Sequence, residues 1–236
     1  KDIENFICKN CNLVITVSPG LKEKFSSFNP VLIPNGFDPF SFQVIEEHEE
    51  NENIENNNKI IIGYFGHLTT SWFDWELIFD TARDNKDFVF HIIGSGASQE
   101  IYTNLPENII YHGKIEHKLL TKYTKNWNVG IIPFKDIPLS KNADPVKIYE
   151  YLYLKLPVVV TGIPNLRSYP YTFFAKNKEE FEKFIRKAKD TLIDTNKVND
   201  FISKCTWEKR VDILEDLINK TILLKNEIII SQWSLR

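Results

Sequence analysis

The chain has 236 residues, 42% of them hydrophobic and 13% aromatic, with a formal net charge of −3 at pH 7. That supplies a sizeable core for one large domain with appendages, and it excludes a nucleic-acid binder relying on an overall positive field. Three cysteines cannot all pair, which favours a reducing compartment, and no apolar run is long enough to span a bilayer.

In chain order, a helical stretch precedes LVITV at 13–17, a short buried strand, and Ser18-Pro19-Gly20 then signals a helix entry. Cys8 and Cys11 form a CxxC with no second pair to complete a zinc site, so they read as packing cysteines. A second strand at 31–33 runs into Pro34-Asn35-Gly36-Phe37-Asp38, a turn of special backbone geometry. Residues 43–58 carry six glutamates and no lysine or arginine; such a segment cannot bury enough surface to offset its ordering entropy and reads as a solvated linker. No methionine occurs, so the expectation is that Lys1 is not the natural start and that more chain lies upstream.

From Lys59 the pattern is regular. Apolar strands are predicted at 60–65, 88–93, 109–111, 129–133 and 157–161. Helices alternate with them over 72–85, 116–126 and the segment carrying Lys147 and Glu150. A further helix at 178–189 places Phe181, Phe184, Ile185 and Ala188 on one side. Trp207, Val211, Leu214, Ile218 and Ile222 mark a long amphipathic helix, and the 228–230 run reads as a terminal packing patch. The fold class is therefore α/β, a Rossmann-like parallel sheet with helices on both faces. Ligands of such sheets sit outside the carboxyl ends of the strands. The loops there, at 63–68, 94–96, 113–115, 133–144 and 161–165, are mostly glycine-bearing, as close backbone approach to a ligand requires.

The segment NADPVKIYEYLYLKLPVVVT at 142–161 puts Lys147 and Glu150 on one helical face just after a proline. A cation, a carboxylate and first-turn amides at strand ends suit a phosphorylated sugar ligand. The plainer alternative is an exposed i,i+3 ion pair. His112, beside Gly113, reads equally as a ligand contact or a satisfied edge histidine, and Trp72, Phe73 and Trp75 read as core or interface aromatics.

Four segments in order carry a resemblance: NLVITVSPGLKEKF with PNGFDPFSF, IIGYFGHLTTSWFDWELI, FHIIGSG with IIYHGKI, and NVGIIPF…PVKIYEYLYLKLPVVVT. The set resembles the C-terminal half of a GT-B glycosyltransferase, nearest the family 4 type of bacterial surface-polysaccharide assembly. The resemblance implies that 1–42 is the tail of an N-terminal acceptor-binding domain and that 59–190 is the nucleotide-sugar-binding domain. Residues 191–236 would be helices crossing back to the first domain. Lys147 would contact the donor diphosphate, Glu150 the ribose hydroxyls, and Gly66 would bring backbone close to the phosphates. Pro145 would fix the helix entry, with Asp144 and Val146 beside it at the donor, and Gly113, Lys114 and Ile115 would face the nucleobase. His67 reads either as a hydrogen-bond donor to phosphate or as a plain loop histidine.

Family members commonly carry a glutamate eight positions before the one matched by Glu150; here that position is Asn142, and Asp144, the nearest carboxylate, reads equally as a helix N-cap. The implied activity is hexosyl transfer from a UDP- or GDP-linked sugar, with retention of configuration, to a saccharide or lipid-linked acceptor. No cofactor is implied, and no Asp-x-Asp pair occurs to hold a metal. The implied setting is cytoplasmic, with peripheral association at the inner face of the membrane. A nicotinamide dehydrogenase is excluded because Gly63-Tyr64-Phe65-Gly66-His67-Leu68 is no GxGxxG. The alternative reading is a non-catalytic nucleotide- or sugar-binding module.

Overall fold

The computed structural model describes residues 2–42 and 59–234, with side chains through Leu223. The acidic 43–58 segment and the side chains of the 228–230 run lie outside the described residues. Residues 2–42 form helix α1 (Asp2–Asn10), strand β1 (Ile15–Thr16), helix α2 (Pro19–Lys24) and strand β2 (Val31–Leu32). The two strands pair in parallel. Ser18 caps α2, its hydroxyl accepting from the Leu21 amide, and Pro19 occupies the first turn, where a missing N–H costs nothing.

Six further strands follow: β3 (Ile60–His67), β4 (Phe88–Ser95), β5 (Ile109–Tyr111), β6 (Val129–Pro133), β7 (Val158–Thr161) and β8 (Thr172–Phe174). Helices α3 (Trp75–Asp84), α4 (Gln99–Thr103), α5 (Leu120–Thr124), α6 (Pro138–Lys141) and α7 (Lys147–Tyr153) connect them. After β8 come α8 (Lys178–Lys189), α9 (Thr195–Ile202) and α10 (Trp207–Ser234).

The sheet is parallel throughout, in the order β5-β4-β3-β6-β7-β8. Its central strands carry apolar residues on both faces because helices cover both; β6 and β7 are buried along their whole length. Successive strands run outward from β3 to β5, then the chain returns to the middle and runs outward from β6 to β8. The order therefore reverses between β3 and β6, and the crevice outside their carboxyl ends is where such sheets bind ligands.

Helix α7 is seated by Ile148, Tyr149, Tyr151 and Leu152, all buried. Gly130 of β6 lets the Tyr151 ring lie against the strand, since a Cβ there would meet the ring at 2.9 Å. The Tyr151 hydroxyl accepts from the Phe65 amide at 3.2 Å. With those four side chains turned inward, Lys147 and Glu150 are left toward the crevice.

Several expectations need correction. Strand β8 is absent from the sequence reading; it is three residues long and leans on β7 for its pairing. Helix α3 begins at Trp75, not at 72, because Asp74 caps it by accepting from Leu77 at 3.1 Å. Cys8 and Cys11 do not pack in the core, since α1 buries no residue and Cys11 is exposed; Cys205 is the buried cysteine. The apolar stripe of α10 is largely exposed at Trp207, Val211, Ile218 and Ile222. At its first turn Trp207 donates its amide to the Phe37 carbonyl and Arg210 donates Nε to that of Asn35.

Candidate functional site

Strand β3 ends in Gly66-His67, and Lys147 opens α7 on the other side of the switch point. Gly66 has φ +144°, and a Cβ built on it would fall 2.0 Å from Lys147 Cε and 2.5 Å from Nζ. The lysine therefore lies across the backbone in space that only glycine leaves open. Its Nζ is 5.7 Å from the centre of the Tyr64 ring, and it makes no hydrogen bond or ion pair among the described residues. Burial pushes its pKa down, and the nearby Glu150 charge partly opposes that. A desolvated, unpaired ammonium at strand ends is poised for an anion.

Glu150 is not the ion-pair partner of Lys147, so the plainer reading of the pair is set aside. One of its oxygens, Oε1, lies 2.8 Å from His117 Nε2, and the glutamate side chain is only 13% exposed. His117 stands two residues past the 113–115 loop, which the Gly113 carbonyl ties to the Gly94 amide at 2.8 Å. Lys114 is exposed, while Gly113 and Ile115 are half-buried. The segment expected to face the nucleobase thus leads straight onto Glu150.

Asp144 does not cap α7. Val146 is the N-cap, and it caps without a side-chain bond. The Asp144 carboxylate is buried, accepting from the Asn35 amide at 2.6 Å and from the Tyr149 hydroxyl at 3.2 Å. The Asn35 side chain in turn donates to the Asp144 carbonyl at 2.6 Å. Asp144 is a tie between the N-terminal segment and the start of α7. Asn142, at the position of the family's earlier glutamate, donates to the Pro138 carbonyl at 2.8 Å.

The first-turn amides also contribute less than expected. Helix α7 has seven residues, and the amides of Ile148, Tyr149 and Glu150 already donate to the Pro145 and Val146 carbonyls. The full positive charge at this end is that of Lys147.

His67 is exposed, its ring 5.5 Å from that of Trp72. It shares with Lys147, Asp144 and Pro145 a cleft of about 690 Å³ whose other wall is Leu21 and Lys24 of α2. Ser140, which nothing in its sequence context singles out, lines the same cleft with a buried hydroxyl lacking a partner among the described residues. Phe73 and Trp75 are core, as the sequence indicates, and His112 is an edge histidine bonded to His91 at 3.0 Å. Among the described residues no group of three metal-ligating side chains converges.

No family model matches the sequence. Over 94% of its length the chain is similar to the sucrose-phosphate synthase of Thermosynechococcus elongatus, with 15% identity and a TM-score of 0.71. Its fold is that of the GT-B glycosyltransferases. HepE of Anabaena, solved with UDP, aligns with 91% of the chain at 15% identity and a TM-score of 0.69. TarM, of S. aureus, aligns with 94% at 18% identity and a TM-score of 0.58. Among curated proteins, TuaH of Bacillus subtilis, whose name assigns it to teichuronic acid biosynthesis as a glycosyltransferase, is 26% identical over 139 residues, 56% of this chain. The chain spans 34% of TuaH, 61% of the sucrose-phosphate synthase and 66% of HepE. The GT-B resemblance and the α/β sheet read from the sequence both stand.

Proposed function

We propose that the chain is the donor-binding half of a glycosyltransferase. It would move a hexosyl group, with retention of configuration, from a UDP- or GDP-linked sugar to a saccharide or lipid-linked acceptor in bacterial surface-polysaccharide synthesis. The observation that carries this reading is the Lys147 ammonium, without an ion-pair partner among the described residues and lying across Gly66 at the carboxyl end of β3. HepE, solved with UDP and with UDP-glucose, supports the donor class. TarM, solved with UDP and α-GlcNAc-glycerol, and the name of TuaH support a cell-surface polymer as product.

When the bond from the anomeric carbon to the diphosphate breaks, negative charge grows on the departing phosphate. Lys147 meets that charge in a site partly shielded from water, where one ammonium is worth several times its value in solvent. It would serve where other enzymes use a metal held by Asp-x-Asp, a pair this sequence lacks. Glu150 accepts from the ribose and fixes the donor's position, and His67, at the cleft mouth, donates to a phosphate oxygen. The acceptor would be held by the other half of the enzyme, in the cytoplasm and at the inner membrane face when lipid-linked.

The test is thermal-shift titration of the chain with UDP, GDP, NAD and free glucose. A nucleoside diphosphate at 100 times its Kd raises stability by about 2.7 kcal/mol, and at the same concentration Lys147→Ala cuts the rise to about 0.3–1.4 kcal/mol. Stabilisation by NAD or glucose alone, with none from either diphosphate, would defeat the reading.

A further inference from the structure

Resting on the donor-site reading above, we infer that His117 is a positioning residue of that site: it holds Glu150 by Oε1 and so presents Oε2 to the ribose. His117 belongs neither to the motif of α7 nor to the 113–115 loop, and no sequence feature marks it. It sits at a junction of three parts of the chain. Its Nε2 lies 2.8 Å from Glu150 Oε1 on α7, and its Nδ1 faces the Ser41 carbonyl at 3.4 Å. Its ring centre is 4.5 Å from that of the buried Phe42 and 6.5 Å from that of Phe65 on β3.

Both ring nitrogens thus face oxygen acceptors. A neutral imidazole donates from only one nitrogen, so the arrangement is fully satisfied by the imidazolium. The surrounding charges agree. Glu150 and Asp38 both favour the cation, and the Glu150 hydrogen bond is the leading reason the His117 pKa is pushed up. Glu116 and Lys118, on either side of it, bond to one another at 2.9 Å, and Lys147 acts on the cluster through Glu150. A carboxylate fixed at one oxygen loses less freedom when a ribose hydroxyl takes the other, the gain that positioning supplies in any binding site. The Ser41–Phe42 contact further makes that orientation depend on the N-terminal segment.

The test is calorimetric titration of UDP and GDP into the chain and its His117→Ala and His117→Gln variants between pH 6 and 8.5. His117 is 41% exposed on its side chain, so both variants should fold; thermal melts confirm it. Wild type should bind more weakly as pH rises through the His117 midpoint. His117→Ala should bind roughly tenfold more weakly at pH 6.5, the scale of one hydrogen bond to a charged group, and lose that part of the pH slope. His117→Gln, which still donates to Glu150, should recover part of the affinity without the slope. The diphosphate's own titration is common to all three proteins and cancels in the comparison. Unchanged affinity and slope in His117→Ala would overturn the inference alone. Tighter binding in that variant would also overturn it, by making His117 a competitor of the ribose. Absence of binding by folded wild type at every pH would instead overturn the donor-site reading, and the inference with it.

Discussion

Replacing Gly66 by alanine puts a methyl carbon where Lys147 now lies. The new Cβ would sit 2.0 Å from Lys147 Cε and 2.5 Å from Nζ, well inside the 3.4–4 Å of ordinary contact. The lysine tip is the movable partner, so it swings out of the crevice and the strand stays in place. Two costs follow. An L-residue held at φ +144° carries strain of about 1–3 kcal/mol, measurable as a loss of stability in urea. Separately, the displaced ammonium forfeits its contact with the donor diphosphate, worth roughly 1.5–3 kcal/mol, or about 10- to 150-fold in Kd. Gly66→Ala should therefore weaken UDP or GDP binding about as much as Lys147→Ala. The Gly66→Ala/Lys147→Ala double variant should be little worse than either, because both remove the same interaction. Wild-type affinity in folded Gly66→Ala, or fully additive losses in the double variant, would refute the claim that Gly66 exists to admit Lys147.

Burial pushes the His91 pKa from 6.5 to about 4, and His112 beside it shifts the same way. The unfolded chain therefore binds more protons between those values, so stability falls as pH drops below about 6.5 and levels off near pH 4. Because His91 is partly exposed and screened, the loss stays below about 3 kcal/mol; between pH 7.5 and 4.5 the unfolding free energy from urea titration should fall further in wild type than in His91→Gln, and parallel curves would contradict it. Tyr151→Phe leaves the buried Phe65 amide without the bond it makes at 3.2 Å and should cost about 1–3 kcal/mol in denaturant stability. Asp144→Ala removes the acceptor of the Asn35 amide and should destabilise by roughly 2–3 kcal/mol. Amide exchange near residue 35 should quicken in that variant while β4 stays protected; uniform loosening of the sheet would count against a local tie.

The parallel sheet was legible in the chain because strands buried on both faces must be apolar without interruption, as at 60–65, 129–133 and 157–161. Helix α8 was legible for a similar local reason: Phe181, Ile185 and Ala188 recur at helical spacing and all are buried. Lys147 and Glu150 could be picked out together since three residues on a helix is a neighbourhood. What they do with their neighbours could not. Glu150 meets a histidine 33 positions away, and Asp144 meets an asparagine 109 positions away, distances over which no periodicity carries information. Strand β8, no shorter than β5, was not read from the sequence; it forms on the edge that β7 supplies. Sequence pattern determined which segments must be covered and therefore which elements form. Closing the sheet between β3 and β6 decided which polar groups share a crevice, because only packing brings residues distant in the chain within hydrogen-bonding reach.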